Sequence, residues 1–247
     1  MEKIGLASIA FRHLSVEEII ACAKEAGLGY IEWGSDVHAP KDDAENLDRV
    51  ARLTREAGLR ISSYGTYFRI DRDKPEEIVA YIQAAKRLGT NIVRIWCSGN
   101  PAVLTAEETK ARYETCRQIA RIAEEMGAVV CAECHENNLT DNADSSLALM
   151  EAVSSPAFRM YWQPHPNQSG NWNTAFAEMT EKHIEHVHVF NWHGRDRFPL
   201  EEAWNDWVRY ARALGNSRMY LLEHFVNDDP ALLSKEADTL RKIIKEI

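Results

Sequence analysis

A repeated pattern of hydrophobic and polar residues runs along the chain. In each repeat, a helix-like stretch ends in a small or charged run and a glycine, and a short apolar strand follows. The repeat is clearest at residues 23–33, 54–64, 85–96, 123–133 and 211–223. The glycine suits the end of a helix, where the chain turns through left-handed φ. Because the strands are apolar on both sides, they predict a parallel sheet covered by helices.

With the weaker repeats included, the chain contains eight strand–helix units. The predicted strands lie near residues 4–10, 29–33, 60–64, 91–96, 128–134, 158–163, 185–190 and 219–224. The predicted helices lie near residues 15–26, 42–57, 75–88, 105–127, 142–153, 172–182, 200–214 and 230–246. Capping residues at the start of several helices, such as Ser15 with Glu18, support these boundaries.

Eight consecutive units predict an α/β fold, a single (β/α)8 TIM barrel that takes up residues 1–247 as one domain. A six-stranded doubly wound sheet is the alternative, but it would leave two strands without a place. That sheet would also be expected to carry a GxGxxG motif after its first strand, and the sequence has none there. No Pro-, Gly- or Ser-rich linker marks a boundary between two domains.

Composition narrows the classes of partner. The chain has 29 Lys and Arg against 38 Asp and Glu, a formal net charge of −9, which disfavours a nucleic-acid partner. No stretch approaches the roughly 20 apolar residues that cross a membrane. The odd count of five cysteines and an opening segment without signal-peptide features lead us to expect reduced thiols and a cytoplasmic protein.

Cys131 and Cys134 form a C-x-x-C-H motif, but strand alternation points them to opposite faces, which disfavours haem, zinc or a disulfide.

Polar residues close the last four predicted strands, at the edge where TIM barrels carry their active sites. They are Glu133, Gln163, His188 and Glu223. Burying a carboxylate after an apolar run is unfavourable unless it is paired or bound to a metal. Two carboxylates, an imidazole and an amide oxygen suit one divalent metal ion, such as Mn²⁺, Co²⁺, Zn²⁺ or Mg²⁺. The alternative is that each is a buried polar residue satisfied by protein neighbours.

The order of several motifs resembles the xylose isomerase-like TIM barrels, the sugar phosphate isomerase/epimerase group that is related to endonuclease IV. The motifs are IGLAS, YIEW, AECHENNLTDN, HIEHVHVFNWHGR and LLEH. The resemblance implies that a metal is held by residues from strands five to eight, which here are Glu133, Gln163, His188 and Glu223. Family members commonly carry Asp where this chain has Gln163, so we expect a site with one negative charge fewer and weaker metal binding.

The resemblance also implies a reaction. It predicts a metal-dependent isomerase or epimerase of a sugar or sugar phosphate, which removes a proton next to a carbonyl through a metal-stabilised enediolate. Glu133 and Glu223 would be the catalytic acid and base. The alternatives are a metal-dependent dehydratase of a cyclitol or related polyol acid, and a non-catalytic sugar-binding barrel. A phosphodiesterase resembling endonuclease IV is disfavoured, because the Asp-x-His expected after strand seven is missing.

Further residues near the strand ends are candidates for binding a carbohydrate substrate. His135 lies two residues after Glu133, so both side chains point toward the barrel axis. Arg195 is similar in position to an arginine that follows strand seven in epimerase relatives, and tryptophans at strand ends could form an apolar wall. The candidates are His135, Arg195, Trp96, Trp192, His38 and His165. Arginines such as Arg12 and Arg94 leave an acidic or phosphorylated substrate open, and a homo-oligomer also stays open.

Overall fold

Eight parallel strands close into a barrel in the computed structural model, which describes residues 3–247. The strands are β1 (Ile4–Ala7), β2 (Tyr30–Gly34), β3 (Arg60–Arg69), β4 (Ile92–Trp96), β5 (Val129–Glu133), β6 (Phe158–Trp162), β7 (Ile184–Val189) and β8 (Met219–Leu222). Each strand pairs with the next one along the chain, and β8 pairs with β1 to close the ring. The predicted (β/α)8 TIM barrel is therefore confirmed.

One α-helix follows each strand and covers the outside of the barrel. The helices are α1 (Val16–Glu25), α2 (Ala44–Glu56), α3 (Ile78–Leu88), α4 (Ala106–Glu125), α5 (Ala143–Val153), α6 (Gly170–Thr180), α7 (Trp204–Leu214) and α8 (Leu233–Lys245). Ser15 and Thr105 form capping boxes at the start of α1 and α4, with Glu18 and Glu108. Of the helices in residues 3–247, none has the length and hydrophobicity that spanning a membrane requires.

The structure differs from the sequence-based boundaries at the ends of two strands and after β7. β1 ends at Ala7, because Ser8–Phe11 turn into a 3-10 helix whose Ser8 hydroxyl accepts a hydrogen bond from Gly34 N at 2.9 Å. β3 continues to Arg69 through a break in its register with β4. A short antiparallel hairpin, Trp192–His193 with Asp196–Arg197, follows β7 and was not predicted.

The hydrophobic core has two parts. A large cluster fills the layer between the barrel and its helices, and it includes Cys134. A separate small cluster of Cys131, Tyr161, Met219 and Leu221 fills the inside of the barrel. The two cysteines of the C-x-x-C-H motif therefore lie on different sides of the barrel wall, as strand alternation predicts, and all five cysteines are free thiols.

Candidate metal centre and active site

The four predicted metal ligands converge at the carboxyl ends of β5 to β8. Glu133 ends β5, Gln163 follows β6, His188 is the last residue but one of β7, and Glu223 follows β8. All four are buried, and His188 is completely inaccessible to solvent. Donor atoms of Glu133, His188 and Glu223 all lie within 4.8 Å of one another. The structure therefore contains a group of residues that could hold a metal ion.

His188 directs one ring nitrogen at the other three residues. Its Nδ1 atom lies 3.3 Å from Glu223 Oε2 and 3.5 Å from Glu133 Oε1. The side-chain oxygen of Gln163 lies 3.4 Å from the same nitrogen. One nitrogen and three oxygens thus face a common point, and this donor set fits a divalent cation such as Mn²⁺, Co²⁺, Zn²⁺ or Mg²⁺.

The electrostatics of this centre favour a cation. Burial alone would raise the pKa of both glutamates, but the positive charge of Arg94 lowers the pKa of Glu133 to about 2. His188 and His224 likewise lower the pKa of Glu223 to about 2. Burial would lower the pKa of His188, yet the surrounding carboxylates outweigh it and raise that pKa well above its ordinary value. Both glutamates are therefore anions, and the imidazole lies in a strongly negative field.

A buried ion pair forms the floor of the centre. Arg94 is 2% exposed; its Nε donates to Glu32 Oε1 at 3.2 Å, and its Nη1 donates to Glu133 Oε2. Glu32 also accepts a hydrogen bond from Ser63 Oγ at 2.8 Å. Burial would raise the pKa of Glu32, but His188 and Arg94 lower it to about 2. Arg94 contributes one positive charge against the three carboxylates of Glu32, Glu133 and Glu223. With neutral His188, the group therefore keeps a net charge of −2, which a divalent ion would balance.

Glu32 was not among the residues predicted from the sequence, and Arg94 was considered only as a contact for an acidic substrate. Glu32 within YIEW is, like Glu223, a carboxylate in an apolar run, so the same pattern could have identified it. Arg94 lies in the apolar strand IVRIW. Because an arginine side chain is long, the sequence does not show whether it points into the barrel or reaches out to solvent.

A cavity of about 280 Å³ opens above the centre, and four of the predicted substrate contacts line it. They are Trp96, His135, His165 and Trp192. The rings of Trp96 and His135 lie 5.1 Å apart at 30°, so they form one continuous wall. Trp96 Nε1 also donates a hydrogen bond to Glu133 Oε2. His165 Nε2 lies 3.2 Å from Asp141 Oδ1, another residue of the lining.

The structure does not bring the two other predicted contacts to this cavity. His38 is buried behind β1, where its Nδ1 lies 3.1 Å from Ser8 Oγ and its Nε2 lies 3.0 Å from Leu14 O. Both of its ring nitrogens are thus used within the protein, which corrects the expectation of a substrate contact. Arg195 is exposed in the turn of the hairpin and is not part of the cavity lining.

Two further polar residues that line the cavity are His224 and Arg12. Of these, the sequence pointed only to Arg12, as a contact for an acidic or phosphorylated substrate. His224 follows Glu223 directly, with its Nε2 3.5 Å from Glu223 Oε2 and its ring 4.8 Å from that of Trp192. Arg12 also lines the cavity, and its Nε donates to Asp36 Oδ2 at 2.6 Å. His224 lies within the LLEH motif, so its position next to a predicted ligand could have identified it.

Comparison with known proteins finds similar chains among dehydratases and sugar epimerases. A 3-dehydroshikimate dehydratase from Bacillus anthracis is 27% identical over 243 residues, which cover 92% of this chain and 84% of the relative. The crystal structure of the probable 3-DHS dehydratase AsbF from Bacillus anthracis has a TM-score of 0.80 at 19% identity, covering 98% of this chain and 99% of that one. D-psicose 3-epimerase from Clostridium cellulolyticum H10, solved with D-tagatose, has a TM-score of 0.74 at 14% identity and 99% coverage of both chains.

The two structural likenesses fall below 25% identity and show the shared fold. A family model gives the more specific result, since the model described as xylose isomerase-like TIM barrel matches residues 20–243. That range contains all four residues of the candidate metal centre and every strand of the barrel except β1. The chain belongs to the xylose isomerase-like TIM barrel family.

Proposed function

We propose that this protein is a divalent-metal-dependent isomerase or epimerase of a small carbohydrate. The observation that carries the proposal is the convergence of His188 Nδ1 with three side-chain oxygens at the floor of the cavity. A divalent ion held there would supply Lewis-acid chemistry, which makes a proton next to a carbonyl easier to remove. Epimerases among the structural neighbours support this assignment at the level of the family.

Glu133 and Glu223 are the proposed acid and base. Both are anionic and both line the cavity, so each can take a proton from a substrate carbon that lies between them. They come from β5 and β8 and therefore approach a bound molecule from different directions. One glutamate would remove the proton and the other would return it, either to the same carbon in an epimerisation or to its neighbour in an isomerisation.

The cavity suits a single small polyhydroxylated molecule. Its volume of about 280 Å³ lies near the lower end of ligand pockets. The Trp96–His135 wall and Trp192 offer flat apolar surfaces against which the carbon face of a sugar can pack. His165 and Gln163 supply polar groups for hydroxyl oxygens. These residues are the proposed substrate contacts.

A dehydratase is the second candidate, and two observations favour it. The relative at 27% identity is a 3-dehydroshikimate dehydratase. Arg12, whose guanidinium is held by Asp36 and Tyr67, lines the cavity and would place a positive charge near a substrate carboxylate. Removal of a proton next to a carbonyl begins this reaction as well. The two reactions differ in what leaves next, since a dehydratase expels water and an isomerase keeps every heavy atom.

The two candidates can be separated in heavy water. Metal-free protein is reloaded with Mn²⁺, Co²⁺, Zn²⁺ or Mg²⁺ and incubated with a panel of ketoses and, separately, with 3-dehydroshikimate. Incorporation of deuterium at a carbon of the ketose, with no loss of water, supports the isomerase or epimerase. Loss of water together with a new conjugated absorbance supports the dehydratase. Absence of both, in protein shown to hold the metal, would reject the two reactions together.

A further inference from the structure

The two ring nitrogens of His188 face different surroundings. Nδ1 faces Glu133, Gln163 and Glu223, the other members of the candidate metal centre. Nε2 points away from them and is buried without a hydrogen bond. Glu32 Oε1 lies 3.3 Å from Nε2, as an ion-pair contact whose alignment falls short of a hydrogen bond. A small rotation of the imidazole would complete that bond.

We propose that Glu32 is a positioning residue, which accepts a hydrogen bond from the Nε2–H of His188 and so keeps Nδ1 free to bind the metal. The inference rests on the proposed function, because it assigns Glu32 a role toward the metal of that same site. A neutral imidazole carries one proton, and placing it on Nε2 leaves the lone pair on Nδ1. A carboxylate that holds the far nitrogen of a metal-binding histidine fixes both its tautomer and its ring orientation.

The surroundings of Glu32 hold its carboxylate in place. Ser63 Oγ donates to Oε2 at 2.8 Å, and Arg94 Nε donates to Oε1 at 3.2 Å. Gly65 leaves the space that the carboxylate occupies, because a Cβ atom at this position would lie 2.6 Å from Glu32 Oε1. The two oxygens are thus fixed from both sides, and Oε1 remains directed at the imidazole.

Arg94 extends the same support to a second member of the centre. It contacts Glu32 through Nε and Glu133 through Nη1, so one buried ion pair contacts both a histidine and a carboxylate of the centre. An ion pair that only stabilised the packing of β2 and β4 would not need to contact His188 or Glu133. The arrangement instead matches the outer contacts that orient metal ligands in proteins.

Metal affinity tests the proposal without relying on turnover. Mn²⁺ binding is measured by calorimetry on the wild-type protein and on Glu32→Gln, after thermal melting confirms that the variant folds. We expect Glu32→Gln to weaken Mn²⁺ binding by roughly ten- to a hundredfold, the effect typical of lost outer-shell contacts. Glu236→Gln is the matched control, since Glu236 is also a buried carboxylate but accepts its hydrogen bond from Leu200 N, outside the cavity lining. Its affinity should stay within twofold of the wild type.

A second measurement uses the wild-type protein, so it stands even if the variant fails to fold. Nitrogen-15 spectra of the histidines are recorded with Zn²⁺ bound, and we expect His188 to carry its proton on Nε2 and the metal on Nδ1. The reverse assignment would overturn the proposal. So would Mn²⁺ affinity of Glu32→Gln within twofold of the wild type, while Glu133→Gln loses binding. If the wild type itself binds no Mn²⁺, the proposed metal centre is rejected, and this inference falls with it.

Discussion

Trp96 and Glu133 are joined by a hydrogen bond from the indole Nε1 to the carboxylate Oε2, so one aromatic ring both lines the cavity and orients a residue of the candidate metal centre. Arg94 donates to the same oxygen. Oε1 is left facing His188. The residue that ends β4 is thereby tied to the residue that ends β5, and the wall of the cavity is coupled to its floor.

Removing this indole donor should impair the reaction more than it impairs the fold. Trp96→Phe keeps an aromatic wall but loses a hydrogen bond to a charged acceptor, worth about 1.5–3 kcal/mol. We expect kcat/KM to fall by roughly ten- to a hundredfold. Trp204→Phe, a change in a partly buried tryptophan of α7, is the control and should leave kcat/KM unchanged. Equal losses in the two variants would show that the effect is general.

The two glutamates should each be essential for turnover. Glu133→Gln or Glu223→Gln removes a proton-transfer group and a negative charge, so we expect kcat to fall by at least about a hundredfold. The fold should persist, as judged by circular dichroism. Glu178→Gln changes an exposed carboxylate on α6 and should retain full activity. Full activity in either of the first two variants would refute the acid–base assignment.

Restoring a carboxylate at position 163 should strengthen metal binding. Gln163→Asp adds a negative charge beside His188, and affinity for divalent ions rises with the charge of the ligands, so we expect the Kd for Mn²⁺ to fall at least about tenfold. Gln168→Asp makes the same change in charge at an exposed position of the same loop. It therefore controls for the effect of a more negative net charge on metal binding. An equal gain in both variants would mean that residue 163 does not contact the metal.

Gly65 should tolerate no side chain. A Cβ atom there would lie 2.6 Å from Glu32 Oε1 and 2.9 Å from Arg94 Nη2, so the buried ion pair would have to move. We expect Gly65→Ala to lower the free energy of unfolding by about 1–3 kcal/mol, as overpacking in a dense core does. Urea denaturation measures this change. A variant as stable as the wild type would show that the floor of the centre can shift freely.

His38 should make the stability of the fold sensitive to mild acid. Burial lowers the pKa of His38 below its ordinary value of 6.5, so the unfolded chain binds a proton more readily than the folded chain does. Its stabilising contribution is complete above pH 6.5 and is lost as pH falls from there through the folded pKa. His38→Gln should therefore reduce the dependence of the unfolding free energy on pH across this interval. An unchanged slope would contradict the role of His38.

The sequence predicts the barrel well because each strand–helix unit carries its own boundary residues. Glu223 and His188 were found because the ends of parallel strands meet at one edge, which is a consequence of topology alone. Glu32 shares with Glu223 the pattern of a carboxylate in an apolar run, but its pairing with Arg94 is a contact between β2 and β4 that no local pattern encodes. His38 shows the opposite kind of difference, a residue predicted for the site that lies outside it. Its position after β2 suited a substrate contact, but Ser8 and Leu14 contact both of its ring nitrogens.

The small cluster of Cys131, Tyr161, Met219 and Leu221 fills the barrel interior, on the side of the centre away from the cavity. The lining of the cavity comes from the strand ends and the loops that follow them, so molecules reach the centre from the rim. In the part of the chain that the structure describes, substrate and product would use the same opening at the rim. We expect the product to act as a competitive inhibitor of its own formation, because it must leave the cavity before the next substrate molecule can bind.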